Sequence, residues 1–182
     1  MRASALTLLI IFTTLVPVPK SSSGIGTTVP ISAELGTSIA AELFPVTIKF
    51  SKGNLFLTEP ALVFLGNGRI GIQVRFQAYD HRPTEGVAIS ETGRARISGK
   101  PGFDRGARQI LLHDPSLDTA EFDHSSEVTE QLLTALQADW SAQVVNPIRS
   151  DLPPHPYLLP FQKNIEDVSY DEKYINLELL YE

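Results

Sequence analysis

The sequence predicts an α+β domain in which one antiparallel sheet carries helices on its apolar face. Three observations carry that prediction. Ile70, Ile72, Val74, Phe76 and Ala78 alternate with Gly71, Gln73, Arg75 and Gln77, the period of a strand greasy on one side and wet on the other. Ile31, Leu35, Ile39 and Leu43, and later Val128, Leu132, Leu136, Trp140 and Val144, recur every four residues, as on one face of a helix. The segments run helix, strands, longer helix, strands, which is the order of an α+β domain.

The first helix has Ser32 as its N-cap and Glu34 in its first turn, and Pro45 stops it. Val46, Ile48 and Phe50 then alternate with polar neighbours, and Leu55 and Leu57 continue the pattern. Asn67-Gly68 suits a two-residue hairpin turn, where both residues need positive φ. It leads into the alternating strand at Ile70. A weaker strand spans Val87–Ser98, a Gly/Pro-rich turn covers Gly99–Gly106, and Gln109–Phe122 forms the next strand. Ser125 or Ser126 caps the second helix, with Glu127 and Glu130 in its first turn. From Ser126 to Val144 it reaches about 28 Å. Pro147, Pro153, Pro154, Pro156 and Pro160 make the following stretch extended and irregular. Tyr157, Leu158 and Leu159 make it too apolar for a free linker. A hairpin of Ile165–Tyr170 and Ile175–Tyr181 closes the chain.

The N-terminus is set apart. Arg2 precedes an apolar run from Ala5 to Val18, which matches a signal peptide (residues 1–23). At about 21 Å as a helix it is short for a ~30 Å hydrocarbon core. The cleavage signal is weak, so an uncleaved anchor stays open. Residues 24–30 read as a flexible tether and 31–182 as a single domain. With 42% hydrophobic and 20% charged residues, the composition is that of an ordinary globular chain. The absence of cysteine excludes a disulfide, a thiolate metal site and a lipidated cysteine. Loss of residues 1–23 takes away Arg2 and Lys20 and moves the net charge from −6 to −8. An acidic chain with no Lys/Arg cluster is a poor nucleic-acid binder.

One phrase occurs twice: Leu57-Thr58-Glu59-Pro60-Ala61-Leu62 and Leu112-His113-Asp114-Pro115-Ser116-Leu117. Proline cannot donate to a ladder and sits at edges or bulges, and bulges bend strands. Two bent strands would curve the sheet enough to wrap the longer helix. The alternative is that each proline ends a strand and starts a loop.

Reactive constellations are absent. Gly66-Asn67-Gly68-Arg69-Ile70-Gly71 matches G-x-G-x-x-G, but a strand follows where a dinucleotide site needs a helix N-terminus. Asp80-His81, His113-Asp114 and Asp123-His124 put imidazole beside carboxylate, as a metal site would. Adjacent strand residues face opposite ways, so these read better as solvated strand ends. No nucleophile, catalytic residue, metal site or cofactor is expected, and the chain is read as a non-enzyme.

From Ile31 onward the chain resembles the YceB-like family of bacterial envelope lipoproteins. The resemblance rests on "ISAELGTSIAAELFPV", "LFLTEPALVF", "GNGRIGIQVRF", "GRARISGK" and "QILLHDPSL". Those are structural phrases, and the chain lacks the family's lipidated cysteine. The resemblance implies a fold similar to the tubular lipid-binding superfamily: a long amphipathic helix wrapped by a highly curved antiparallel sheet, plus a short N-terminal helix. It also implies an apolar channel between helix and sheet, lined here by Leu35, Ile39, Leu43, Ile70, Ile72, Val74, Phe76, Leu132, Leu136 and Trp140. On periodicity alone the same residues would be plain core.

The function expected from this reading is non-enzymatic binding of lipid or another hydrophobic small molecule in the periplasm. The protein would be soluble or tethered to the inner membrane through a retained N-terminal segment. The alternative is a structural or partner-binding envelope protein with a filled core, using the proline-rich segment as its contact surface. Ligand identity, partner and oligomeric state are not encoded in any motif.

Overall fold

The computed structural model describes residues 24–80 and 89–181. Nine strands and two helices are present among them: β1 (Ile25–Ile31), α1 (Ala33–Ala41), β2 (Val46–Phe50), β3 (Gly53–Phe64), β4 (Ile70–Asp80), β5 (Ile89–Asp104), β6 (Gln109–Phe122), α2 (Glu127–Gln143), β7 (Ile148–Asp151), β8 (Ile165–Tyr170) and β9 (Ile175–Tyr181). The class is α+β, as expected. The strands form two antiparallel sheets where one was predicted: a meander β2-β3-β4-β5-β6-β7 and a small sheet β1-β9-β8. The six-stranded sheet curls into a half-barrel.

Both prolines of the repeated phrase lie inside continuous strands. On β3, Thr58 pairs with Arg75 and Ala61 with Gln73, so Glu59 and Pro60 together face Val74. On β6, His113 pairs with Lys100 and Ser116 with Ser98, so Asp114 and Pro115 together face Gly99. Each is a two-against-one bulge, which raises twist and bends the strand. A third shift in β6 leaves Asp118 as an extra residue between Leu117 and Thr119.

The inner face of the half-barrel holds a core of Leu55, Leu57, Val74, Phe76, Ala78, Ala95 and Ala120. Leu136 of α2 belongs to the same cluster. The ring of Phe76 meets Phe122 edge-on, with centroids 5.1 Å apart, and lies over Gly93, where a Cβ would fall 2.4 Å from Phe76 Cζ. A second core joins α1 to the small sheet through Ile31, Ile39, Leu158, Ile165, Val168, Leu177 and Leu179. The two parts are held together where α1 packs on β3. There Thr37 Oγ1 accepts the Leu62 N–H at 2.9 Å. Gly36 leaves room for Leu62, whose Cδ2 would be 2.3 Å from an added Cβ. Tyr170 on β8 donates its hydroxyl to the Leu65 carbonyl at 2.7 Å.

Several boundaries differ from the sequence reading. The presumed tether at 24–30 is strand for most of its length: Ile25–Ile31 pairs residue for residue with β9, Ile25 opposite Tyr181 and Ile31 opposite Ile175. Its side chains are mostly exposed, so backbone pairing, which composition does not reveal, holds it. The expected turn over Gly99–Gly106 is strand up to Asp104. Pairing of β4 with β5 ends at Gly99, so Pro101 sits where that side of β5 no longer needs a donor. The proline-rich stretch contains β7, paired with Gln109–Leu112. Helix α2 has 17 residues, about 25 Å. Ser126 caps it in a capping box with Thr129: each side chain accepts the other residue's backbone N–H, at 3.2 and 2.8 Å. The presumed signal segment 1–23, with His81 and residues 82–88, lies outside the described residues.

Candidate functional site: an apolar cleft at the seam of the sheet

Strands β2 and β7 are opposite edges of the six-stranded sheet. Laid flat, five strand spacings would hold them about 24 Å apart. Curling brings both to one cleft of about 430 Å³, closed on its third side by the C-terminal half of α2. Ile48 and Phe50 of β2, Ile148 of β7, and Leu136, Trp140 and Val144 of α2 and its cap form an apolar lining. Val145 and Pro147 complete it.

The local sequence explains why the space is open. On α2 the row at four-residue spacing is packed at Leu132 and Leu136, 1% and 7% exposed. Its last members, Trp140 and Val144, run past the core and are only half-buried. The edge strands are short, five residues in β2 and four in β7. Neither reaches far enough to cover the helix end. Asp139 fixes the geometry by accepting the Ser51 N–H at 2.5 Å, tying α2 to the β2–β3 turn.

Lys49, Asp139, Gln143 and Arg149 mark the polar rim. Arg149 donates to Asp104 at 2.8 Å. Asp104 is held below its ordinary carboxylate range by the Ala107 N–H first and by Arg149 second. Lys49 has no ion-pair partner among the described residues. The cleft therefore offers an oily wall and one uncommitted cation.

The residues expected to line a channel are split between several places. Leu136 and Trp140 line the cleft. Ile72, Val74 and Phe76 pack in the first core, and Leu35 and Ile39 in the second. Ile70 and Leu132 are buried at 7% and 1% exposure. Leu43 is 36% exposed. It lies beyond α1, which closes at Glu42 with a tightened last turn, the Leu43 N–H returning to Ala40 O at 2.9 Å. The reading missed Ile48, Phe50, Val144, Val145, Pro147 and Ile148. Ile48, Phe50 and Val144 carried the right periodicity. Nothing local marks Pro147 and Ile148 as facing residues a hundred positions away.

The perturbed titratable groups serve as ties between elements. Asp123 is pulled down to about 2, first by the Arg75 guanidinium and then by the Thr92 hydroxyl. Arg75 binds both its oxygens, at 2.9 and 2.7 Å. Asp114 is lowered by Asn146 and Lys100. Tyr170 is raised, chiefly by burial. Among the described residues no three His, Asp or Glu side chains gather as metal ligands. Asn67 and Gly68 have φ of 61° and 69° and turn straight into β4, so the glycine-rich phrase is a hairpin.

Neither the protein-family models nor the curated proteins contain a match to this chain.

Proposed function

We propose that this protein binds the hydrocarbon portion of a lipid-like molecule in the cleft between α2 and the two sheet edges. The observation that carries the proposal is a single apolar space of about 430 Å³ built from both edges of a curled sheet. Small-molecule pockets fall in the range of roughly 300–1,000 Å³. Burial contributes about 0.8 kcal/mol per CH₂, so sixteen carbons fully covered would contribute about 12 kcal/mol gross. Association and ordering take several kcal/mol of that back. The half-open shape leaves one end of the ligand in water, beside Lys49, which favours an acyl chain with an anionic head. No reactive group is required, and the function is binding or transfer rather than catalysis. The YceB-like resemblance, with the wrapped helix it implies, belongs to the same proposal; α2, at 17 residues, is shorter than the long helix expected from it. The expected setting is the periplasm, reached through the N-terminal segment. No described helix is long and apolar enough to cross a membrane.

A second reading has a specific observation behind it. Ile72, Val74 and Phe76 are packed rather than lining an open channel, as in a structural envelope protein with a closed interior. The proline-rich segment offers Tyr157 and Leu159, 36% and 56% exposed, as its contact surface, whereas Leu158 is 2% exposed and committed to the core.

Calorimetric titration with a 16-carbon fatty acid separates the two. Lipid binding predicts saturable uptake, abolished by Ile48→Glu, which puts a carboxylate in the cleft wall. No heat from the wild-type chain, in the presence of native far-UV circular dichroism, leaves the structural reading.

A further inference from the structure

At the β5–β6 turn lies a second recess, polar where the first is apolar. It has a volume of about 310 Å³ and is lined by Arg105, Arg108, Lys163, Asn164 and Glu166, among others. Three cations meet one carboxylate here, in a chain whose net charge is −6. Arg105 is committed, forming an ion pair with Glu166. Lys163 has no ion-pair partner among the described residues.

Arg108 is the informative residue. Its guanidinium carbon lies over the Phe103 ring, 5.8 Å from the centroid, within cation–π range. Its Nη2 is buried and has no hydrogen-bond partner. Buried polar atoms are almost always satisfied, and an orphaned charged donor is among the least tolerated. The backbone adds a second cost, because Arg108 has φ 59°, in the left-handed region that side chains other than Asn, Asp and Gly seldom enter. The turn thus holds a strained arginine with one donor unanswered.

An oxyanion would answer that donor once the Arg108 side chain turns Nη2 into the recess it lines. Guanidinium presents a planar fork that fits carboxylate and phosphate oxygens, and an ammonium binds phosphate as a point charge. We infer that the recess between the β5–β6 turn and the start of β8 is an anion site, in which Arg108 and Lys163 hold a phosphate-type group while Arg105 is braced by Glu166. The group is either free phosphate or the head of an anionic phospholipid. The inference stands independently of what the apolar cleft takes.

The test is a titration of the full chain with inorganic phosphate, read by NMR shifts of arginine side-chain N–H groups. Flotation with vesicles of phosphatidylcholine, alone or mixed with phosphatidic acid, runs beside it. The variants are Arg108→Asn, which tolerates positive φ, Lys163→Gln, which changes an exposed side chain, and Arg94→Gln as a cation outside the recess. The site predicts a saturable shift in the wild type and in Arg94→Gln, weakened by about tenfold or more in the other two. Flotation only with phosphatidic acid, lost in Arg108→Asn, identifies a headgroup. A phosphate response without flotation identifies a free anion. No saturable response in the wild type overturns the inference. A response unchanged in both recess variants places the anion elsewhere and also overturns it. Should Arg108→Asn not fold by circular dichroism, Lys163→Gln decides.

Discussion

Glu59 and Asp114 stand 55 positions apart yet share one backbone state, φ 50° and 49°, each immediately before a proline inside a bulge. The repeated phrase is thus a repeated bending device. Each acid is held in the left-handed conformation, the proline needs no donor, and the strand turns. The two bends lie on β3 and β6, one strand in from each edge of the sheet. That placement swings β2 and β7 toward each other and creates the cleft.

Removing Pro60 together with Glu59→Val should straighten β3 without shifting its register. Thr58 opposite Arg75 and Ala61 opposite Gln73 already bracket the site, and the new valine would face Val74. Expected are a native circular dichroism spectrum and fatty-acid affinity weakened by about tenfold or more, which is ~1.4 kcal/mol or greater. Unchanged affinity would detach the cleft from the bulge.

Gly93→Ala tests the packing of the inner face. The added Cβ would lie 2.3 Å from the Glu121 carbonyl oxygen, which is backbone and does not yield easily. The expected loss is about 1–3 kcal/mol, read as a lower urea midpoint with an unchanged slope.

The Arg75–Asp123 pair sets an acid limb of stability. The folded carboxyl titrates at about 2, below the ordinary value of about 3.9 expected when unfolded. Its contribution is therefore fully present above the unfolded value and is lost as pH falls through the folded one. Asp123→Asn should flatten the urea midpoint between about pH 4 and pH 2 and leave the shape of the profile near neutrality unchanged. A profile as steep as that of the wild type in the acid window would contradict the assignment.

Along α2, stability and binding should separate. Leu132 is 1% exposed, and Leu132→Ala is expected to cost about 3 kcal/mol. Ser126→Ala removes the cap, at about 1 kcal/mol. Trp140→Ala, at the half-buried end of the same row, should destabilise less than Leu132→Ala and weaken fatty-acid binding more. The reverse ranking would make Trp140 plain core.

What the chain announced locally, it formed. The Ser126 cap, the alternation of β4 and the Asn67-Gly68 turn each depend on residues a few positions apart. Pairing across the chain was not legible in the same way. Ile25–Ile31 reads as tether because its side chains stay wet, while the free edge of β9 supplies its hydrogen bonds. Pro101 reads as a turn because its loss of one donor matters only where β4 has not already ended. The cleft itself joins Ile48 to Ile148, and their approach comes from curvature accumulated over six strands. The repeated proline phrase was the one sequence sign of that curvature.

Trp140 is the only tryptophan in the chain and lines the cleft, so its fluorescence reports on that site alone. Titration with a 16-carbon fatty acid brominated along its tail tests the account most directly. The account predicts saturable quenching, absent in Ile48→Glu and reversed by unbrominated competitor. Fluorescence that stays unquenched up to the solubility limit of the acid would contradict it.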